Sequence, residues 1–264
     1  MNFGDYKTLE FKRRERVLEI TMNRPEKLNA VDEAMHEELA RVFVDVSSDP
    51  ESDVVVLTGA GRAFSAGGDI VWMQKMIDQP SAFEKTAREG KQIVYSLLDC
   101  EKPVIAKLNG HATGLGATIA LFCDVILASD AAKIGDPHVS VGFVAGDGGA
   151  VIWPQLIGYV RAKEYLMTGD LMSASEAARI GLINHAVPPD ELDERVKQFA
   201  DRLAAGATKA IRWSKMSANI GLKQLAHSIM DASLAYEAMS NVTKDHQEAV
   251  NAFREKRAPV FTGE

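Results

Sequence analysis

The chain has 264 residues, 46% of them hydrophobic, enough for one large domain or a domain with a helical appendage whose core needs no covalent staples. A formal net charge of −7 and a pI near 5.5 exclude broad electrostatic binding of nucleic acid or anionic lipid and leave room only for a local basic patch. Met1 to Lys7 carries no basic segment ahead of an apolar core, no apolar run approaches about 18 residues, and Cys100 and Cys123 have neither disulfide nor metal-ligand spacing. The expectation is a cytoplasmic protein with reduced structural thiols, no metal site, and no nucleic-acid or membrane partner.

In chain order, alternation over 9–12 and 17–22 predicts an opening hairpin. Residues 29–46 have helical spacing through Met35, Leu39, Val42, Phe43 and Val46. Strands recur at 54–58, 104–108 and 125–128 with helical stretches between them, which predicts an α/β core with parallel pairing. Glycine-rich turns follow two of these runs: Phe64-Ser65-Ala66-Gly67-Gly68-Asp69, and Asn109-Gly110-His111-Ala112-Thr113-Gly114-Leu115-Gly116-Ala117. Glycines there let the backbone approach a ligand with free N–H groups, and two such turns meeting at one point would form an oxyanion hole. Beyond Ser173 the character becomes helical, with a capping box at 173–176 and helices predicted at 191–205, 208–219 and 222–240. With no long linker or short-period repeat, the economical division is a catalytic core over 1–200 and a C-terminal helical module over 201–264.

The two turns arrive in order with Asn23-Arg24-Pro25-Glu26-Lys27-Leu28-Asn29-Ala30 before them and Leu166-Met167-Thr168-Gly169-Asp170 after them. Together they resemble the crotonase superfamily, the enoyl-CoA hydratase and isomerase fold, over nearly the whole chain. The resemblance implies a spiral core of repeated ββα units with a C-terminal oligomerisation module, assembled as a homotrimer or a dimer of trimers. It implies backbone N–H donors at Gly68 and Leu115, the second at the start of a helix whose dipole adds to the field. Leu115 stands in a slot often held by glycine; it keeps the donor and narrows the pocket.

By the same resemblance coenzyme A enters as part of the substrate, with no tightly bound cofactor. Its contacts fall on Lys27, Leu28, Ala66, Gly68, Asp69 and Ile70, with Val71 in place of a customary lysine. Lys256 matches a basic position that reaches the adenosine phosphates from an adjacent subunit, and Glu237 a position that reaches the active site of its own or a neighbouring subunit. Gly114, Thr118 and Phe143 fall beside the reacting group, and the acyl pocket is expected from Met73, Met76, Phe83, Leu115, Phe143 and Trp153.

Hydration of an enoyl thioester needs an activated water and a proton for the α-carbon, work that the hydratase branch gives to two glutamates. Their slots here hold Thr118 and His138, and a neutral threonine is no general base. An imidazole with an ordinary pKa of about 6.5 can take and return a proton, and Asp147, nine residues on, is the partner expected to form a His–Asp dyad. The segment from Asp136-Pro137-His138 through Gly146-Asp147-Gly148-Gly149 to Trp153-Pro154 is similar to β-diketone hydrolases of the oxocamphor hydrolase type, which cleave carbon–carbon bonds by a retro-Claisen route. Those enzymes carry a further histidine where this chain has Leu115. A subset of enoyl-CoA hydratases shares the Gly-Asp-Gly-Gly and Trp-Pro pattern. The leading expectation is therefore an acyl-CoA enzyme of the hydratase/isomerase class; the alternatives are a β-diketone hydrolase using His138 and Asp147, and a non-catalytic acyl-CoA-binding protein. His36 is read as a solvated helix position, and His111 and His185 have no ligand pattern around them.

Overall fold

The computed structural model describes residues 3–264. The predicted hairpin forms as β1 (Leu9–Arg14) paired antiparallel with β2 (Val17–Met22). Helix α1 (Glu33–Ser47) begins later than its spacing suggests. Pro25–Lys27 is a 3-10 turn and Leu28 and Asn29 both sit at φ 54°, so helix starts only where Asp32 caps the Met35 N–H. There follow β3 (Val54–Gly59), β4 (Ala63–Ser65), α2 (Ile70–Asp78), α3 (Phe83–Asp99), β5 (Val104–Leu108), β6 (His111–Thr113), α4 (Leu115–Phe122), β7 (Val125–Ser129), β8 (Lys133–Gly135) and α5 (Gly149–Thr168). The chain continues through β9 (Met172–Ser173), α6 (Ala174–Ile180), β10 (His185–Val187), α7 (Leu192–Ala204), α8 (Thr208–Asn241) and α9 (Lys244–Glu255).

Two sheets result. The first runs β1-β2-β3-β5-β7-β10 and is parallel beyond the hairpin; the second runs β4-β6-β8-β9 and is parallel except for its last pair. Strands β3, β5 and β7 enter the first sheet, and β4, β6 and β8, each next in the chain, enter the second before a helix returns. This is the spiral of ββα units expected. β3 and β5 are apolar runs because their sheet is covered on both faces. The turns leaving β4 and β6 therefore lie side by side.

The helices predicted at 208–219 and 222–240 are one helix, α8. A glycine inside a helix costs only about 1 kcal/mol against alanine. Nothing crowds Gly221, and burial of Ala226, Met230 and Leu234 in the main core offsets that cost. The segment beyond residue 200 thus shares its apolar core with the first 200 residues. Among the described residues no helix is long and apolar enough to cross a membrane.

Candidate active site

The two glycine turns interlock. Gly67, at φ +82°, leaves room for the Thr113 carbonyl, since a Cβ there would stand 2.9 Å from that oxygen and 3.6 Å from Gly114 Cα. The first turn is pinned by Val31, whose N–H donates to the Gly67 carbonyl at 2.7 Å and whose carbonyl accepts from Asp69 N–H at 2.9 Å. Asp69 then caps α2 by accepting from Val71 N–H. In the second turn Gly114, at φ +53° and ψ −129°, points Leu115 into the first position of α4. Neither Gly68 nor Leu115 donates its N–H to any group among the described residues. Two free donors on touching turns, one at a helix N-terminus, have the composition of an oxyanion hole.

His138 opens the 3-10 turn that follows β8, and its imidazole stands between two carboxylates. Nδ1 is bonded to Oδ1 of Asp136, and Nε2 lies 3.7 Å from Oδ2 of Asp147. A Cβ on Gly114 would sit 3.9 Å from Nε2, so that nitrogen faces the second oxyanion turn. Asp136 is fully buried and Gly149 makes room for it, because a Cβ there would meet its Oδ2 at 2.3 Å. Asp147 accepts from the Thr118 hydroxyl at 3.2 Å and from the Gly149 N–H. Glu237 descends from α8 onto Gly146 with its Oε2 buried and unpartnered.

The electrostatics follow from this crowding. Burial works against the His138 imidazolium, but the charges of Asp136 and Asp147 and the Asp136 hydrogen bond outweigh it and lift His138 to about 10. Burial raises Asp147 above the ordinary aspartate value, opposed by the His138 charge. Glu237 is pushed well above the usual carboxylate range by burial and by repulsion from Asp147. Asp136, His138 and Asp147 also bring ligand atoms within 4.8 Å of one another. One ring nitrogen faces each carboxylate, however, and an ion would have to displace the Asp136 hydrogen bond, so the geometry suits proton sharing.

Two chambers meet here. An inner cavity of about 40 Å³ is walled by Gly68, Leu115, His138, Asp147 and Glu237 on its polar side and by Met76, Phe83, Phe143 and Leu234 elsewhere. An outer groove of about 510 Å³ runs over Lys27, Leu28, Ala66, Asp69, Ile70 and Gly114 and joins the cavity at Gly68, Met73 and His138. Thr118 lines neither and reaches the site only through Asp147. Lys256, the left-handed residue that caps the end of α9, lies outside both; Phe253 of that helix borders the groove.

Three sequence readings change. Trp153 is fully buried beside Tyr165 and borders neither chamber. His36 is not solvated: it is 3% exposed, bonds Glu89 Oε2 through Nδ1 at 2.8 Å, packs on Trp72 and lines the inner cavity. Its burial follows from the wide buried stripe of α1, which takes in adjacent positions 35 and 36. Asp136, the nearer partner of His138, carried no role in the sequence reading; its signal was an aspartate two residues before a histidine across a proline turn.

The model of the Enoyl-CoA hydratase/isomerase family matches residues 12–264. Crotonyl-CoA hydratase of Syntrophomonas wolfei subsp. wolfei is 36% identical over 261 residues, spanning 97% of this chain and 98% of that protein. (E)-Benzylidenesuccinyl-CoA hydratase of Thauera aromatica is 35% identical over 92% of this chain and 94% of its own length. The crystal structure of an enoyl-CoA hydratase/isomerase from Mycobacterium paratuberculosis superposes with a TM-score of 0.87 at 36% identity, covering 94% of this chain and 99% of that one. A β-diketone hydrolase from the cyanobacterium Anabaena sp. PCC 7120, bound to (S)-3-oxocyclohexyl acetic acid, superposes at 0.85 with 32% identity, covering 91% and 96%.

Proposed function

The chain belongs to the enoyl-CoA hydratase/isomerase family, and from that premise we propose an acyl-CoA enzyme that stabilises a thioester enolate between Gly68 and Leu115 and moves its protons through His138. The thioester oxygen accepts from the two backbone N–H groups, each worth about 3 kcal/mol or more as negative charge develops. Water gives a proton to the Asp147 carboxylate, which burial makes more basic than an ordinary aspartate. The hydroxide adds to the β-carbon, and the double-bond electrons move onto the thioester oxygen. The His138 imidazolium then delivers its Nε2 proton to the α-carbon as the enolate collapses. Asp147 returns the water's proton to Nε2, while Asp136 holds Nδ1 throughout. One water is added and every catalytic group is restored.

The observation that carries this reading is His138 itself, fixed by Asp136 and turned with Nε2 toward both Asp147 and the oxyanion turn. Coenzyme A lies along the outer groove with Lys27 beside it, and the acyl group fills the inner cavity. We also propose assembly as a homotrimer or dimer of trimers, supported by the exposed Trp213, Ile220, Tyr236 and Met239 on α8. Lys256 would act there on a neighbouring subunit's ligand.

The β-diketone reading draws on the same His138 and on the likeness to the Anabaena hydrolase. Water activated by His138 would attack one carbonyl, and the departing carbon would leave as an enolate held at Gly68 and Leu115. Leu115, where those hydrolases carry a histidine, counts against it. Family membership and the buried relay leave the non-catalytic reading without support. The test incubates wild type, His138→Gln and Asp147→Asn separately with crotonyl-CoA and with a cyclic β-diketone. Hydration of crotonyl-CoA that falls about 100-fold in both variants supports the proposal; undiminished hydration in both removes it, and diketone cleavage that collapses in both puts the second reading in its place.

A further inference from the structure

Helix α9 packs behind the turn that carries His138 and borders the outer groove. Its His246 is fully buried and donates Nδ1–H to the Val141 carbonyl at 2.6 Å. The His246 ring stacks on Phe143 with centroids 4.6 Å apart and planes 16° from parallel. Phe143 in turn donates its N–H to the His138 carbonyl at 2.9 Å and keeps its ring 5.8 Å from the His138 imidazole. Gly142 closes this turn at φ +62°, and a Cβ there would stand 2.8 Å from His246 N. The turn that carries His138 is thus seated directly on the start of α9. Seven residues further along the helix, Phe253 borders the outer groove.

We propose that His246 is a positioning residue: through Val141 and Phe143 it holds the turn that aims His138 at the α-carbon. The inference rests on the assignment of proton transfer to His138. A carbonyl bond alone would explain a polar residue at this place, but the ring stacking and the shared turn tie His246 to the reacting imidazole. Misplacement of a reacting group by about 1 Å costs as much as 100-fold in rate, so a buried histidine far from the substrate can govern turnover without touching it. The same helix then divides its labour, with His246 acting on kcat and Phe253 on the binding of the thioester arm.

The experiment compares His246→Leu, His246→Asn, Phe253→Ala and His138→Gln on crotonyl-CoA, with thermal unfolding of each. Leucine removes the donor; asparagine restores an N–H at the Nδ1 position. The expected result is a kcat about ten-fold to 100-fold lower in His246→Leu with KM little changed, a shifted pH profile of kcat, and substantial recovery in His246→Asn. Phe253→Ala should raise KM instead. Wild-type kcat in a folded His246→Leu, or equal loss in the leucine and asparagine variants, overturns the inference while leaving His138 in place. Full activity in His138→Gln overturns the reading on which it stands.

Discussion

Asp136 and His138, two residues apart in the chain, are joined through the imidazole Nδ1, which leaves Nε2 as the nitrogen that faces Asp147 and the oxyanion turn. The pairing fixes both the tautomer and the tilt of the ring. Replacing Asp136 by asparagine keeps the volume but removes the charge that favours Nδ1–H, so kcat should fall about 100-fold or more while KM changes little. Steady-state kinetics on crotonyl-CoA check this; unchanged kcat would mean the pair is structural only.

The same contacts make stability depend on pH. The imidazole titrates near 6.5 when unconstrained and at about 10 in the fold, so the native state holds the proton more tightly than the unfolded chain. That contribution is complete below about pH 6.5 and is lost as pH rises through about 10. Asp147 and Glu237, both raised by burial, act with the same sign, each losing its contribution as pH climbs from the ordinary carboxylate range through its own raised value. The urea midpoint of wild type should therefore fall from about pH 6.5 to about pH 10 more steeply than that of His138→Gln. Parallel slopes would show that His138 is not the group responsible.

Lys102 offers a stability test away from the site. It is 2% exposed and its Nζ donates to the Val46 carbonyl at 2.6 Å, the Asp49 carbonyl at 2.5 Å and the Ser52 hydroxyl at 3.1 Å. Methionine would fill the space and leave those acceptors unpaired, costing about 3 kcal/mol. Denaturant unfolding measures the loss; a variant as stable as wild type would show that the loop relaxes to satisfy them.

Chain-length preference should follow the inner cavity. Phe83 is buried against Phe143 at 6.2 Å between centroids, and the space beside them is about 40 Å³. Phe83→Ala opens that wall, so relative kcat/KM should move toward longer enoyl-CoA chains by about ten-fold per two added methylenes accommodated. An unaltered preference profile would place the acyl group elsewhere.

The α/β class, the hairpin, the two glycine turns and the wide spacing of His138 and Asp147 were legible because each is written in local pattern or in a motif of fixed order. The unbroken α8 was not, since Gly221 is a local break signal that burial of Ala226, Met230 and Leu234 overrides. His36 was missed because the width of the buried stripe on α1 depends on what packs against it. Asp136 and His246 escaped for a related reason: their roles come from which atom each presents to the His138 turn, and that is decided only when α9 and α5 close over it. Glu237 was placed by resemblance, but its unpartnered buried oxygen is a property of the packed state alone.

The central claim is an enolate held at Gly68 and Leu115 with its α-carbon served by His138. The direct measurement is exchange of the α-hydrogens of butyryl-CoA for deuterium in heavy water, read by mass spectrometry for wild type, Gly68→Pro and His138→Gln. Proline removes the Gly68 donor, which supports no ladder bond, and only the flexible end of Met73 lies where a side chain would go. Wild type should exchange these hydrogens, and each variant should do so about 100-fold more slowly. Exchange at the wild-type rate in both folded variants would contradict the account.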